Sequence, residues 1–219
     1  MIYILALRVL YLTVKRGFVN RREPVTTIGR RMAMARVPYL DESSVAEENR
    51  ELLRGAVNLS RALIHSPEAA RSLRSAALFI RHRSRLDPRL RELAILQVAR
   101  LSSSEYKWTQ HVPIAESFGA APETIDAIQA GRDGDPSLPE EQRAILAFTR
   151  EVVEDGAAGE QAVAALRDRL GDRGVVELLL VIGNYLGLAR LIATVGLEAH
   201  EPVVRLPGGT DALGPGEPA

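Results

Sequence analysis

The residues best suited to chemistry lie close together in one short segment of the chain. Ser104, Trp108, His111 and Ala115 are spaced by four, three and four positions, which places them on one face of an α-helix. Histidine changes charge near neutral pH, so an imidazole between an indole and a carboxylate is suited to general acid or base catalysis. A histidine that only packs in a core or an interface gives the same pattern.

Two glutamates are candidate partners for this histidine. Glu92 lies early in a predicted helix, where a carboxylate is also favoured by the helix dipole. Glu105 follows Ser102 by three residues, and this spacing is that of a capping box at a helix start. Each glutamate therefore has a structural explanation beside the catalytic one.

Composition excludes several classes of function. The chain has no cysteine, which excludes thiolate nucleophiles, disulfides and cysteine-ligated metals. The four histidines are far apart in sequence, so we predict no metal site. The formal net charge is +0, and we therefore expect no nucleic-acid partner. A cysteine-free chain also fits a reducing cytoplasm.

The apolar periodicity and the capping residues predict an all-α protein. Asp87-Pro88 and Ser66-Pro67 are typical helix starts, and Gly119 is a typical helix stop. The predicted helices cover residues 45–64, 66–81, 88–101, 103–118, 122–131, 140–154, 159–170 and 172–198. Residues 203–206 are the one short strand candidate.

The two ends of the chain differ from the middle. Residues 2–14 are apolar apart from Arg8, which is too short for a helix that spans a bilayer, since that needs about 20 residues. We expect no stable membrane insertion. Residues 1–35 are predicted to be an extension, either flexible, weakly membrane-associated or absent if translation starts at Met32 or Met34. Residues 36–200 form the folded domain, and residues 201–219 a flexible tail.

Two stretches carry a recognisable family pattern. They run from Arg91 to Ala99 (RELAILQVA) and from Glu105 to Gly119 (EYKWTQHVPIAESFG). They resemble the carboxymuconolactone decarboxylase family, which includes the alkylhydroperoxidase AhpD branch. Weaker similarity covers about residues 36–200. The resemblance implies an AhpD-like helical bundle that assembles into trimers or hexamers.

The peroxidase branch of that family carries the pattern Glu-x11-Cys-x2-Cys-x3-His. Glu92, Ser104, Lys107 and His111 have this spacing, with both cysteines replaced. Serine and lysine cannot form the sulfenic acid and disulfide that peroxide reduction needs. Thiol peroxidase activity is therefore not expected, even though the family carries a peroxiredoxin label.

The decarboxylase branch does not need those cysteines. The resemblance implies a cofactor-free lyase that removes carbon dioxide from a small carboxylated lactone, as in the breakdown of aromatic compounds. Such a reaction needs a group that holds a carboxylate and an acid that protonates carbon. We predict His111 as the proton donor, oriented by Glu92 or Glu105.

The remaining candidate residues would bind substrate. Arg83 or Arg85, just before the helix that begins at Asp87, would hold the carboxylate, although a solvated connector explains them better. Tyr106 and Trp108 would form an apolar wall, although core packing explains them equally well, and Ser104 lies on the same face as His111.

Two other functions fit the same residues. One is a cyclase, isomerase or hydrolase that acts on a different small molecule, because pocket shape decides the substrate. The other is a non-catalytic helical oligomer. Residues 68–81 and 175–197 offer more apolar face than one small domain needs, so we predict a homo-oligomer in either case.

Overall fold

The computed structural model describes residues 35–54 and 57–198. All of them belong to one compact unit that begins at Met34. These residues contain helices and no strand, which confirms the predicted all-α class. The predicted N-terminal extension, the C-terminal tail and the strand candidate at 203–206 lie outside the described residues.

Seven α-helices follow one another in the described part of the chain, and we number them α1 to α7. They are α1 (Asn58–Leu63), α2 (Pro67–Leu78), α3 (Pro88–Leu101), α4 (Glu105–Ser117), α5 (Pro122–Gln129), α6 (Glu140–Glu154) and α7 (Glu160–Val195). Two 3₁₀ segments, Glu42–Ser44 and Glu47–Leu53, precede them, and a π-helical turn, Phe79–Arg83, follows α2.

Helix α3 lies at the centre of the domain. Ten successive residues from Leu90 to Ala99 are buried, because α4, α5, α6 and α7 all pack around this helix. Leu93 and Leu96 are fully buried in the main cluster, together with Phe148 of α6 and Ile182 of α7. Any polar side chain in this run is therefore placed inside the protein.

The local start and stop signals work largely as the sequence predicts. The Asp87 carboxylate accepts hydrogen bonds from the backbone N–H groups of Arg89 and Leu90, which caps α3. Gly119 has φ +82° after α4, a conformation that favours glycine. Gly171 has φ +67° and interrupts α7, so the two helices predicted over 159–170 and 172–198 are the two arms of one kinked element.

Two predictions about helices are wrong. Residues 45–64 do not form one long helix but a 3₁₀ segment and the short α1. Only Leu53 is buried within the 3₁₀ segment, and a helix without a buried face lacks the packing that stabilises most helices. The apolar spacing of α7 also predicts that Leu179 is buried together with Ile182 and Tyr185, but Leu179 is 41% exposed.

Candidate active site

The start of α4 determines which side chains of this helix point into the protein interior. Ser104 is the N-cap, and its Oγ accepts a hydrogen bond from the backbone N of Lys107 at 3.4 Å. The predicted capping box between Ser102 and Glu105 is wrong. Helix α3 runs through Leu101, so Ser102 follows its end, and the Ser102 Oγ donates to the carbonyl of Val98 instead.

The inward face of α4 differs by one residue from the predicted face. Ser104, Lys107, His111 and Ala115 are buried on this face, Tyr106 is buried in a second cluster, and Trp108 is only partly buried against the main core. The lysine, the histidine and the alanine are spaced four residues apart, which is the repeat of a helix face. The two positions that carry cysteine in the peroxidase pattern therefore point inward with His111.

A hydrogen-bonded pair links α3 to α4. His111 Nδ1 lies 2.7 Å from Glu92 Oε2, and the two residues are 3% exposed. Arg91 Nε donates to the other carboxylate oxygen, Glu92 Oε1, at 3.2 Å. Arg91 Nη1 also donates to the carbonyl of Ile80 at 3.1 Å. The carboxylate is therefore held between a histidine and an arginine in the interior.

The electrostatics indicate the protonation state of each group in this pair. Burial alone raises the pKa of Glu92, but His111 and Arg91 outweigh it, so the pKa of this carboxyl lies below its usual range. Burial lowers the pKa of His111, and the positive charges of Lys107 and Arg81 add to this effect, while the Glu92 charge opposes it. The favoured state is a carboxylate with a neutral imidazole, whose Nδ1–H donates to Glu92. His111 Nε2 is then left with a lone pair.

Helix α7 completes the surroundings of this pair with Tyr185. The ring centroids of His111 and Tyr185 are 5.0 Å apart at an interplanar angle of 86°, an edge-to-face contact that fixes the imidazole plane. Burial and the Glu92 charge raise the pKa of Tyr185 to about 12, and Arg81 hydrogen-bonds to its side chain. Tyr185 is therefore a neutral phenol across the physiological pH range.

Lys107 lies beside the same ring. Its Nζ is 5.3 Å from the Tyr185 ring centroid and 5.8 Å from that of Tyr106, and the residue is 8% exposed. Burial and the Arg81 charge lower the pKa of Lys107 to about 8, although Glu92 opposes them. Three cationic side chains, Arg81, Arg91 and Lys107, thus act on a site that contains one carboxylate.

Three of the predicted site residues lie outside this cluster. Glu105 is exposed in the first turn of α4, and six residues along a helix place it on a different face from His111. The side chains of Arg83 and Arg85 are exposed. The arginine that acts on His111 and Tyr185 is Arg81, two residues earlier than the sequence predicts.

The connector that carries these arginines is anchored to α7. Glu177 accepts hydrogen bonds from the Ser84 Oγ at 2.8 Å and from the backbone N of Arg85 at 2.7 Å. Arg173 Nε donates to its other oxygen at 2.6 Å. Burial alone raises the pKa of Glu177, but these donors outweigh it and lower the pKa below its usual range. This anchor positions the segment between Arg81 and α3.

The other predicted binding residues have mainly structural surroundings. Tyr106 is buried in a second cluster with Ala62, Ile192 and Leu197, and burial raises its pKa to about 12. Trp108 packs against the main core. Ser104 caps α4 but also lies on the His111 face. Of the predicted residues, the structure brings together Glu92 and His111.

Sequence reasoning missed Lys107, Tyr185 and Arg81 as site residues. One signal for Lys107 was present, because Lys15 is the only other lysine among 28 Lys and Arg residues. Tyr185 stands in the apolar run of α7, where it looks like a core residue. Arg81 has no distinguishing pattern. Within residues 35–54 and 57–198, no group of three or more His, Asp or Glu side chains is arranged to hold a metal ion.

Comparisons with known proteins agree with this architecture. The fold is similar to that of the alkylhydroperoxidase AhpD core of an uncharacterized peroxidase-related protein from Ralstonia eutropha, with a TM-score of 0.65 and 20% identity over 77% of this chain and 93% of that one. It is also similar to an uncharacterized peroxidase-related protein from Silicibacter, with a TM-score of 0.61 and 18% identity over 83% of this chain and 95% of that one. Comparison with curated protein sequences gives no match.

The sequence comparison matches one segment of the chain to a known family. Residues 67–151 match the carboxymuconolactone decarboxylase family, and this range contains Glu92, Lys107 and His111 and the helices that carry them. The matched range lies within the AhpD-like fold, so this segment of the chain is similar to the carboxymuconolactone decarboxylase family in sequence and the described domain is AhpD-like in fold.

Proposed function

We propose that this protein is a cofactor-free lyase that decarboxylates a small carboxylated lactone by proton transfer through His111. The observation that carries the proposal is the buried hydrogen bond of 2.7 Å between His111 Nδ1 and Glu92 Oε2. It fixes the tautomer and the ring orientation, and so it leaves Nε2 as the proton-transferring atom. Glu92 is a positioning residue in this scheme and Glu105 has no part in it.

Decarboxylation breaks the bond between the carboxylate carbon and its neighbour and leaves an electron pair on the substrate. The lactone carbonyl of the substrate takes up that pair as an enolate, and a proton on His111 Nε2 is then delivered to carbon. One proton is consumed for each carbon dioxide released, so solvent must reprotonate His111 after each turnover. No organic cofactor is needed, because the substrate is its own electron acceptor.

The positive charges around the pair favour an anionic substrate. Arg81, Arg91 and Lys107 act on a site with the single carboxylate of Glu92. A bound substrate carboxylate would balance this charge and would also raise the pKa of His111, since a nearby negative charge favours imidazolium. Binding of the substrate would therefore place on Nε2 the proton that the reaction consumes.

One alternative has a specific observation in its favour. In the absence of substrate the pKa of His111 is lowered by burial, so its Nε2 acts first as a base. An isomerase that removes a proton from carbon and returns it elsewhere uses this resting state directly. This alternative consumes no proton overall and releases no carbon dioxide.

The test is an ultraviolet assay of the full-length protein with γ-carboxymuconolactone, beside a His111→Gln variant. Turnover with loss of at least a hundredfold in the variant is expected, since a positioned acid–base group contributes about 10²–10⁴-fold. Glu105→Gln is the matched control, because it changes a carboxyl on the same helix but on another face. Equal turnover by wild type and His111→Gln would refute the role of His111, and inactivity of folded wild type would refute the lactone substrate.

We also propose that the chain forms a homo-oligomer through α2 and α7. No residue of α2 is buried, and α7 exposes Val176 at 65%, Leu179 at 41% and Leu180 at 42%. An 18-residue window of α7 has mean hydropathy 1.8, which by length and composition would suit a membrane span, but only 39% of it is buried. A second copy of the chain would cover these apolar side chains without burying a charge of theirs.

Light scattering coupled to size exclusion tests the assembly. A trimer or a multiple of it is expected for wild type, and a smaller species for Leu180→Glu, which places a charge in the exposed apolar face. A wild-type monomer at micromolar concentration would refute the homo-oligomer.

A further inference from the structure

Lysine is used at only one position in the described part of the chain. The sequence has 28 Lys and Arg residues, and Lys15 and Lys107 are the only lysines. Everywhere else in residues 35–54 and 57–198 a cationic side chain is an arginine. Arginine stays charged at all accessible pH values, whereas a buried lysine can lose its proton. Lys107 is therefore the one Lys or Arg position in these residues whose side chain can become a neutral amine.

Lys107 lies among aromatic side chains and not in a salt bridge. Its residue is 8% exposed, and two aromatic rings lie 5.3 and 5.8 Å from Nζ. No carboxylate within residues 35–54 and 57–198 lies within ion-pair distance of it. Desolvation together with a neighbouring cation is the combination that activates a lysine as a nucleophile.

The partners needed for carbonyl chemistry lie on the same helix face. Lys107 and His111 are one turn apart on α4, and both are buried. His111 can therefore move protons for a group that reacts at Lys107. The positive charge of Arg81 and Arg91 near this face favours a reactant that carries a carboxylate.

We propose that the Lys107 amine is a nucleophile that forms an imine with small oxo acids at the Glu92–His111 pair. This inference goes beyond the lactone reaction and does not depend on it, because it names a different electrophile, a ketone or aldehyde carbonyl. It also assigns a reacting group to the position at which the peroxidase pattern carries a cysteine.

The reaction balances with one proton from solvent. The nitrogen lone pair of the neutral amine attacks the carbonyl carbon, a C–N bond forms, and one proton moves from nitrogen to the carbonyl oxygen, which becomes a hydroxyl. His111 takes the second proton from nitrogen and gives it to the hydroxyl, which leaves as water. The neutral imine then takes up one proton from solvent and becomes a protonated imine. In a 3-oxo acid this cation accepts the electron pair released when carbon dioxide departs.

The pKa of Lys107 supports this chemistry. A value of about 8 in place of 10.5 leaves about one amine in ten neutral at pH 7, roughly 300 times more than an ordinary lysine provides. The reactive form is therefore present at working pH without an added base.

The test traps the imine by reduction. The full-length chain with Lys15→Arg keeps only two kinds of amine, Lys107 and the N-terminus. It is incubated with pyruvate or acetoacetate and sodium cyanoborohydride, which reduces the imine to a stable secondary amine, and the modified peptide is identified by mass spectrometry. We expect the peptide that contains Lys107 to be labelled at least tenfold faster than the same peptide in urea-unfolded protein, with a midpoint near pH 8.

Two comparisons make the outcome decisive. The double variant Lys15→Arg, Lys107→Met is expected to lose all labelling except that of the N-terminus. Acetone, which has the carbonyl but no carboxylate, is expected to label Lys107 more slowly than the acids. Labelling of the N-terminus alone, or equal labelling of folded and unfolded protein, would overturn the proposal. Because no lactone is used, a failed lactone assay leaves this result unaffected.

Discussion

Replacing the buried amine of Lys107 by a neutral side chain should make the protein more stable at neutral pH. Lys107→Met keeps the length of the side chain and its contact with the Tyr185 ring, and it removes the charge. The pKa of Lys107 falls from 10.5 to about 8 in the folded protein. At about 1.36 kcal/mol for each pKa unit, burial of the charged form costs about 3 kcal/mol.

Two contributions reduce that gain. The contacts of Nζ with the rings of Tyr106 and Tyr185 each stabilise the cation by about 0.5–1 kcal/mol. Methionine also has to fill the space without strain, and volume-conserving exchanges of this kind cost below about 1.5 kcal/mol. We therefore expect Lys107→Met to raise the free energy of unfolding by up to about 2 kcal/mol at pH 7.

The pH dependence separates this explanation from simple repacking. Between about pH 8 and 10.5 the unfolded chain holds a proton on Lys107 that the folded protein has released. The stability of wild type therefore rises with pH in that window relative to the variant. The advantage of Lys107→Met should shrink steadily from pH 8 and reach its lowest value near pH 10.5.

Urea denaturation followed by circular dichroism, at intervals between pH 7 and pH 10.5, measures this difference. Arg85→Met is the matched control, because it replaces a cationic side chain that is exposed. A difference between wild type and Lys107→Met that does not change with pH would refute the argument. So would a variant that is less stable than wild type at pH 7 and stays so at pH 10.5.

Two further predictions concern the Glu92–His111 pair. Glu92→Gln should lower the free energy of unfolding by about 3–5 kcal/mol, because it leaves the buried Arg91 without its counter-charge, whereas Glu105→Gln should cost below about 1 kcal/mol at an exposed first turn. Thermal unfolding of both variants compares them, and equal losses would contradict the buried network. The lowered pKa of His111 means that its stabilising neutral form is fully present above about pH 6.5 and is lost as the pH falls below that value. His111→Gln should therefore flatten the decrease in melting temperature between pH 7 and pH 5, and an unchanged slope would show that other groups cause it.

The sequence predicts best those parts of the fold in which local signals and burial agree. Helix α6 runs from Glu140 to Glu154, as its apolar periodicity indicates, and α3 begins at the Asp87 cap. Residues 45–64 have good helix formers, but Leu53, Ala62 and Ile64 are the only buried residues among those described there, so packing gives the local preference little support. Propensity alone is a weak guide for such a segment.

Only part of the candidate site can be predicted from the sequence, for a related reason. The spacing of Glu92 and His111 matches a family pattern, so their pairing follows once α3 and α4 are adjacent. No such pattern distinguishes Arg81 from Arg83 and Arg85 as the arginine of the site. Residues 79–83 form a π-helical turn, whose side-chain directions do not follow the spacing of an α-helix. Tyr185 reaches the site from a distant helix, and one sequence carries no direct signal for that contact.

Stability alone gives no reason for the polar groups inside this domain. Arg91 and Glu92 interrupt a run of ten buried residues in the central helix, and Lys107 and His111 face them from α4. Exchanging buried charged groups for apolar residues of similar volume is often neutral or stabilising, and the rest of the α3 run shows that apolar side chains pack well here. Residues that lower stability in this way, at positions where packing favours a different residue type, are found mainly at functional sites. Both partners of the His111–Glu92 hydrogen bond are buried polar groups that carry this cost in stability. For this reason we place the proposed chemistry at this pair and not at the exposed arginines of the connector.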